Sequence, residues 1–254
     1  MTTTAIELRE IEQSFGNFQA LRGISMKLVP GTVTCVLGDN GAGKSTLIKI
    51  LSGLNTPTGG QLLVDDEPTT FSSPRDALDA GIATVYQDLA LVPQLSVWRN
   101  FFLGQELTGR FGGLQENKMR AIAREQLAQM GVELPDIDVE LEALSGGQRQ
   151  VVAIARAIYF GARYIVLDEP TAALGVKQSG MVLRFIAAAK QRGMGVVFIT
   201  HNPQHAYLVG DRFVVLNLGE VALNADKADA SVEELTKWMA GGAEMETLKA
   251  ELAS

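Results

Sequence analysis

A glycine-rich stretch early in the sequence has residue types and a spacing suited to binding phosphate. Residues 38–46 are GDNGAGKST, which fits the pattern G-x-x-x-x-G-K-[ST]. Glycines let the backbone curl around phosphate oxygens, and freed N–H groups and a following helix N-terminus point at the anion. We therefore expect a nucleotide here, with Lys44 at its β- and γ-phosphates and the Ser45 hydroxyl on Mg²⁺. The residues expected to bind ATP are Gly38, Asp39, Asn40, Gly41, Ala42, Gly43, Lys44, Ser45 and Thr46.

Two carboxylates follow an apolar run later in the chain. Residues 164–167 are nearly all apolar, as expected of a strand covered on both faces, and Asp168 and Glu169 come next. Ligands of open α/β sheets lie beyond the carboxyl ends of the strands, so this end should face the same crevice as the phosphate loop. Asp168 is expected to orient Mg²⁺ or its water, and Glu169 to polarise an attacking water. The alternative for this pair is a solvated acidic turn that caps a helix.

A Ser-Gly-Gly turn within LSGGQRQ, residues 144–150, is the second candidate for an anion site. The turn is expected to open into a helix over residues 150–159. An N-cap role for Ser145 is one interpretation. An N-cap followed by two glycines also exposes N–H groups to an anion, which indicates a second phosphate-binding element far from the first in sequence.

The elements that must position these residues follow an α/β pattern. Short apolar runs, each expected to be a buried strand, occur at residues 33–37, 82–86, 164–167 and 195–200. Helices are expected at residues 47–52, 150–159, 176–190 and 232–239. Residues 5–37 indicate a small, mainly antiparallel β region, and residues 212–216 and 221–223 indicate a hairpin.

We expect the 254 residues to form a single ATP-binding domain. Its α/β core would comprise about residues 5–88 and 161–223. The helical pattern from 93 to 161 predicts an inserted helical subdomain at about 89–160, with an exposed loop at 109–113. Residues 224–254 would form an acidic helical tail with a frayed end.

The composition of the chain limits the partners and environments that can be expected for it. The net charge is −7, with 22 basic against 29 acidic residues, so no basic excess is available to neutralise nucleic acid. The one cysteine, Cys35, excludes an internal disulfide and is expected to be a core residue. No run approaches the roughly 18 apolar residues that a membrane span needs, and residues 1–9 lack a secretory pattern. Work at a membrane would require another chain to carry the spans.

Taken in order, these motifs resemble those of the nucleotide-binding subunits of ATP-binding cassette (ABC) transporters. They are GDNGAGKST, a glutamine after a strand (Gln87), LSGGQRQ, YIVLDEP and a histidine after a strand (His201), within about residues 5–223. The resemblance implies a P-loop NTPase core with an N-terminal antiparallel β subdomain and an inserted helical subdomain. In that family two subunits pack head to tail, and each ATP lies between the phosphate loop of one and the LSGGQ turn of the other. A homodimer that hydrolyses MgATP is therefore expected.

The resemblance also implies roles for single residues. Phe15 would stack on adenine, the alternative being a core phenylalanine. Gln87 would touch Mg²⁺ and the water and sense the transmembrane partner, and His201 would contact the γ-phosphate. His205 has no match and is interpreted as structural. The residues implied to hold the ATP of the opposite subunit are Leu144, Ser145, Gly146, Gly147 and Gln148.

One position departs from the family pattern, and several indicate a branch. Gly175 stands where the family usually has an Asp, which removes a carboxylate from the implied subunit interface.

The residues within the motifs resemble those of bacterial importers of simple sugars, of the ribose and fructose type. Such a subunit would sit on the cytoplasmic face of the membrane against permease subunits, with a periplasmic sugar-binding protein delivering the sugar. The alternatives are an importer of another small solute, such as an amino acid, and an ATP-gated clamp on ribosomes or DNA.

Overall fold

A computed structural model describes residues 5–241, and two β-sheets organise this part of the chain. The strands are β1 Ile6–Phe15, β2 Phe18–Leu28, β3 Val33–Leu37, β4 Gly59–Val64, β5 Glu67–Thr69, β6 Ile82–Val85, β7 Tyr164–Asp168, β8 Gly195–Thr200, β9 Arg212–Asn217 and β10 Glu220–Asp226. The helices are α1 Lys44–Leu51, α2 Pro74–Asp79, α3 Val97–Phe102, α4 Glu116–Gln129, α5 Gly146–Tyr159, α6 Val176–Gln191, α7 Pro203–Val209 and α8 Val232–Met239. Short 3-10 turns occupy Leu141–Ala143 and Lys227–Asp229.

The larger sheet has six strands in the order β10-β9-β3-β8-β7-β6. All neighbouring strands are parallel except β9 and β10, which form the expected hairpin. β3 and β8 are buried along their whole length, which explains their unbroken apolar runs. The carboxyl ends of β3, β8, β7 and β6 therefore lie side by side along one edge of the sheet.

The smaller sheet has the order β2-β1-β4-β5 and is antiparallel throughout. The expected antiparallel region is confirmed for β1 and β2, but the inclusion of residues 33–37 in it was wrong. β3 is buried at every position, whereas β1 has exposed residues between its buried ones. A strand that is apolar on both faces belongs in a covered parallel sheet, and β3 pairs with β8 and β9 there.

Helices between β6 and β7 are shorter than the sequence pattern suggested. The expectation of helix from 93 to 161 was wrong for residues 93–96, for 103–115 and for most of 130–145, which are mainly turns and loops. α1 starts at Lys44 rather than at 47, and α5 starts at Gly146 rather than at 150, because both helices begin within their glycine-rich motifs. Residues 109–113 form the expected loop, with Phe111 almost fully exposed at its tip. The boundaries of the helical subdomain at about residues 89 and 160 stay a prediction.

Two hydrophobic clusters cover the two faces of the parallel sheet. Val33, Cys35 and Leu37 point into the cluster that includes α3–α6, while Val36 points into the cluster shared with α1 and the antiparallel sheet. Cys35 is buried as expected, and burial raises the pKa of its thiol. α8 has its expected bounds, whereas the expected frayed end lies outside the described residues. None of the helices in residues 5–241 is both long and apolar enough to cross a membrane.

Candidate functional site

The phosphate loop follows β3 at the carboxyl edge of the parallel sheet, and its glycines are required by the backbone. Gly38, Gly41 and Gly43 have φ angles of 151°, 82° and 105°, a region that side chains rarely adopt. A Cβ at Gly38 would lie 2.6 Å from the Leu216 carbonyl oxygen, and one at Gly43 would lie 2.7 Å from a Leu21 methyl carbon. A side chain at either position would therefore be strained, and one at Gly38 would also clash with the backbone.

A cation and uncapped helix donors converge at this loop. Lys44 is buried, and its Nζ donates hydrogen bonds to the carbonyls of Gly38 at 2.7 Å and Asp39 at 3.0 Å. α1 has Gly43 at its N-cap with no side-chain cap, so no side chain competes for the first-turn N–H groups. Ser45 is exposed in this first turn. The arrangement suits an anion with several oxygens.

Asp168 and Glu169 lie next to the phosphate loop, because β7 is separated from β3 only by β8. Burial raises the pKa of the Asp168 carboxyl, the negative charge of Glu169 raises it further, and the positive charge of Lys44 opposes both. The alternative of a solvated acidic turn is wrong for this pair, since both residues are partly buried at the sheet edge.

Glu169 contacts the histidine that follows the neighbouring strand. His201 Nδ1 lies 2.9 Å from Glu169 Oε2. The Glu169 side chain is 14% exposed and that of His201 is 62% exposed, so the contact is open to solvent on the histidine side. Glu169 has a φ angle of 46°, which is strained for a residue with a side chain. A carboxylate held in this way can accept a proton from a water beside it.

Gln87 and Phe15 flank the same region. Gln87 is exposed two residues after β6, at the same sheet edge as His201. Phe15 ends β1 and is 50% exposed, so the alternative of a core phenylalanine is wrong. Its cross-strand partner is Phe18, the first residue of β2. That strand continues to Ala20, whose carbonyl oxygen would lie 3.0 Å from a Cβ at Gly43.

The Ser-Gly-Gly turn is not part of this cluster. Ser145 is the N-cap of α5, and its hydroxyl accepts from the Gln148 N–H at 3.3 Å while the Gln148 side chain accepts from the Ser145 N–H at 2.9 Å. Within residues 5–241 the glycines of the turn lie against Leu174 and Gln178, and no hydrogen bond joins the turn to the phosphate loop. The structure thus places Asp168, Glu169 and His201 near the phosphate loop and Gln87 at the same sheet edge, whereas the Ser-Gly-Gly turn lies apart from them.

Sequence reasoning missed one contact at the site. His205 Nδ1 lies 3.1 Å from the hydroxyl of Thr171, two residues after Glu169. Burial lowers the pKa of His205, and the neighbouring His201 lowers it further. No motif in the sequence signalled this pairing, because it joins residues 34 positions apart.

Comparison with known proteins places the chain among protein families. The sequence profile of the family described as "ABC transporter" matches residues 21–172, more than half of the chain. The chain belongs to the ABC transporter family. The resemblance inferred from the motifs is thereby confirmed, and the chain is an ABC-type ATPase that binds ATP.

This ABC chain is similar to ATP-binding proteins of sugar importers. It is 46% identical to the xylose/arabinose import ATP-binding protein of Sulfolobus acidocaldarius, over 92% of this chain and 93% of that protein. It is 41% identical to the fructose import ATP-binding protein of Rhizobium meliloti, over 93% and 94%. With the ribose import ATP-binding protein of Bacillus subtilis the identity is 37%, and the match spans 93% of this chain but only 48% of that protein.

Solved structures share the architecture of this ABC chain. An ATP-binding cassette in its ADP conformation superposes with a TM-score of 0.81 at 24% identity, over 96% of this chain and 98% of that one. A dimeric bacterial ABC transporter cassette gives a TM-score of 0.73 at 27% identity, over 87% and 98%. The predicted fold class, an ABC ATPase fold with antiparallel and parallel sheets, is confirmed.

Proposed function

We propose that this chain is the ATP-hydrolysing subunit of an importer for a simple sugar such as fructose or ribose. The observation that carries the ATPase site is the contact of Glu169 with His201 beside the phosphate loop. The sugar class is supported by the similarity to fructose and xylose/arabinose import proteins over nearly their whole length. The amino-acid importer and the ribosome or DNA clamp have no comparable support.

The nucleotide and its metal fit the residues present. Gly38 and Gly43 keep the loop free of Cβ atoms, and the uncapped start of α1 offers N–H donors for the phosphates. Phe15 presents an exposed ring for adenine. Mg²⁺ prefers oxygen ligands, which Ser45, Gln87 and Asp168 supply at one sheet edge, with Asp168 acting directly or through water. When bound, Mg²⁺ supplies positive charge that offsets the charge developing on the phosphates.

Glu169 is the proposed group that polarises the attacking water. Its carboxylate is held by His201, whose ring is also proposed to contact the γ-phosphate, while Gln87 orients the water. Lys44 holds the phosphate oxygens with a fixed positive charge. Catalysis in such a site is mainly positioning and charge stabilisation, because phosphoryl transfer needs little covalent chemistry from the protein.

The substitution Glu169→Gln tests this assignment, since it keeps the shape of the side chain and removes its charge. The turnover number should fall by about 10²- to 10⁴-fold, the usual loss when a general base is removed, while MgATP binding persists. Glu233→Gln, an exposed residue in the first turn of α8, is the matched control and should hydrolyse ATP at the wild-type rate. Wild-type turnover in Glu169→Gln would refute the assignment.

A second copy of the chain is proposed to complete each site. Within residues 5–241, the LSGGQ turn, residues 144–148, makes no hydrogen bond to the phosphate loop or to Asp168 and Glu169 of its own subunit. A head-to-tail partner would bring Ser145, Gly146 and Gly147 to the γ-phosphate. The dimeric cassette among the solved relatives supports this arrangement.

The permease is proposed to dock beside Gln87 on the cytoplasmic face of the membrane. A groove of about 440 Å³ runs there between β6 and α5. Apolar side chains including Leu89, Leu91 and Phe160 line it, together with Arg156. The periplasmic sugar-binding protein would act only through the permease.

Charge reversal beside the groove, between its lining residues Tyr86 and Leu89, tests the docking proposal. Asp88 is exposed directly after Gln87. Asp88→Lys should reduce sugar uptake into vesicles containing the permease while ATP hydrolysis by the isolated subunit is unchanged. Asp229→Lys, an exposed reversal in a distant 3-10 turn, is the control. Equal loss of uptake and hydrolysis would mean that the segment only supports the fold.

A further inference from the structure

The loop that carries Glu169 is strained and must be held by its surroundings. Glu169 and Ala173 have φ angles of 46° and 56°, both in the left-handed region, although neither is glycine. Such conformations cost free energy and persist only where neighbouring contacts define them. Backbone hydrogen bonds at the loop include those from the Glu169 N–H to the Ile199 carbonyl at 3.0 Å, from the Ala172 N–H to the Glu169 carbonyl at 3.0 Å, and from the Leu174 N–H to the Thr171 carbonyl at 3.4 Å.

A side-chain contact from α7 also fixes the middle of this loop. Thr171 lies between the two strained residues and is only 6% exposed. Its hydroxyl lies 3.1 Å from His205 Nδ1. The segment after β8 therefore touches the loop twice, through His201 at Glu169 and through His205 at Thr171.

His205 is itself firmly anchored. Its backbone N–H donates to the Asn202 side chain at 3.0 Å, and the Asn202 N–H donates to the Thr200 hydroxyl at 3.1 Å. The next residue, Ala206, is fully buried, and the Cys35 thiol donates to its carbonyl at 3.6 Å. α7 is thus fastened to β3, the strand that leads into the phosphate loop.

We propose that His205 is a positioning residue for ATP hydrolysis: through the Thr171 hydroxyl it holds the strained loop so that the Glu169 carboxylate faces His201 and the attacking water. The contact links Thr171 to α7 and hence to β3. The position of the Glu169 carboxylate relative to the phosphate loop is thereby fixed. The inference rests on the proposed role of Glu169. It predicts a defect in turnover rather than in ATP affinity, because neither His205 nor Thr171 touches the phosphate loop.

Matched substitutions separate positioning from simple packing. In His205→Asn the amide places a polar atom where Nδ1 was, whereas in His205→Gln the polar atoms lie where Nε2 was. Thr171→Ser keeps the hydroxyl and Thr171→Val removes it with nearly the same shape. We expect His205→Gln and Thr171→Val to lower the turnover number by about 10- to 100-fold, as displaced catalytic groups do, with an unchanged Kd for MgATP. His205→Asn and Thr171→Ser should restore most of the turnover.

The double variant His205→Gln/Thr171→Val completes the test. If the contact acts as one unit, the double variant should lose no more turnover than either single variant. Turnover is measured on samples whose thermal unfolding midpoint and ATP affinity are recorded, so that Thr171→Val remains informative if His205→Gln folds poorly. Wild-type turnover in folded Thr171→Val, or additive losses in the double variant, would overturn the proposal. Inactive Glu169→Gln beside fully active His205→Gln would refute this inference alone, and active Glu169→Gln would refute the catalytic assignment on which it rests.

Discussion

Two helices in this protein begin in glycine-rich motifs, and their starts differ in side-chain capping and in backbone conformation. α1 begins after Gly43 with no side-chain cap, with left-handed glycines before it and the buried Lys44 at its first position. α5 begins after Ser145, whose hydroxyl and the Gln148 side chain form a reciprocal capping box. None of the positive φ angles in residues 5–241 falls in the second motif.

The glycines of the two motifs therefore have different purposes. In the phosphate loop they permit a backbone conformation that curls around an anion. In the second motif they permit close approach, because a Cβ at Gly146 would lie 2.9 Å from a Leu174 methyl carbon and one at Gly147 would lie 3.1 Å from the Gln178 Cβ. The first helix start leaves its N–H donors open to an anion, whereas the second is capped, and we propose that a second copy of the chain brings the anion to it.

Removal of the cation at the first helix start should have the largest effect on binding. Lys44→Ala should weaken ATP binding by the isolated subunit about 10- to 150-fold, since hydrogen bonds to charged groups contribute about 1.5–3 kcal/mol. Lys49→Ala, an exposed lysine in the last turn of the same helix, is the control and should bind normally. Titration with a fluorescent ATP analogue measures both. Unchanged ATP affinity in Lys44→Ala would show that the phosphate loop does not bind ATP.

Alanine at the two sets of glycines should affect stability unequally. Gly43→Ala forces a side chain into a left-handed conformation, which costs about 1–2 kcal/mol, and also into contact with Leu21. Gly146→Ala meets only the flexible end of Leu174 and needs no left-handed conformation, so its net effect should be small. Urea unfolding of both variants measures the difference. Equal losses of the free energy of unfolding would contradict the distinction between the two motifs.

Much of this contrast was accessible from the sequence, and some was not. The phosphate loop and the Asp168–Glu169 pair were predictable because each follows an apolar run that the parallel sheet places at one edge, whereas Gln87 and His201 were indicated by the resemblance to the family. The start of α5 was misplaced because helix propensity disfavours glycine, and a capping box at Ser145 and Gln148 outweighed it. The pairing of His205 with Thr171 could not be predicted, since it joins residues 34 positions apart through the packing of α7.

Loss of the cap should test the second helix start. Ser145→Ala removes the acceptor for the Gln148 N–H and should lower the free energy of unfolding by about 1 kcal/mol. For a chain of this size the thermal midpoint should fall by about 2–4 °C. Ser145→Thr keeps a hydroxyl acceptor and serves as the control. An unchanged midpoint in Ser145→Ala would show that the capping box contributes little to α5.

Restoring the family's usual carboxylate should have the smallest effect. Gly175 is the N-cap of α6 and has no side-chain cap. Gly175→Asp should raise the free energy of unfolding by a few tenths of a kcal/mol, about 1 °C in the thermal midpoint. Gly175→Ala, which places a side chain there without a hydrogen-bond acceptor, is the control and should not stabilise. A lower midpoint in Gly175→Asp would mean that the loop before α6 cannot accept a side chain there.

The central claim is that each hydrolytic site is built from two copies of the chain, one presenting the open start of α1 and the other the capped start of α5. Glu169→Gln in saturating MgATP should bind without turnover and so accumulate as a dimer, because ligand that binds only the closed state stabilises it by mass action. Adding Ser145→Arg places a bulky cation in the second motif and should leave this protein monomeric while ATP still binds. Sizing chromatography with light scattering measures both masses. A dimer for Glu169→Gln and a monomer for the double variant is the predicted result; a monomeric Glu169→Gln, or a double variant that still dimerises, would contradict the shared site.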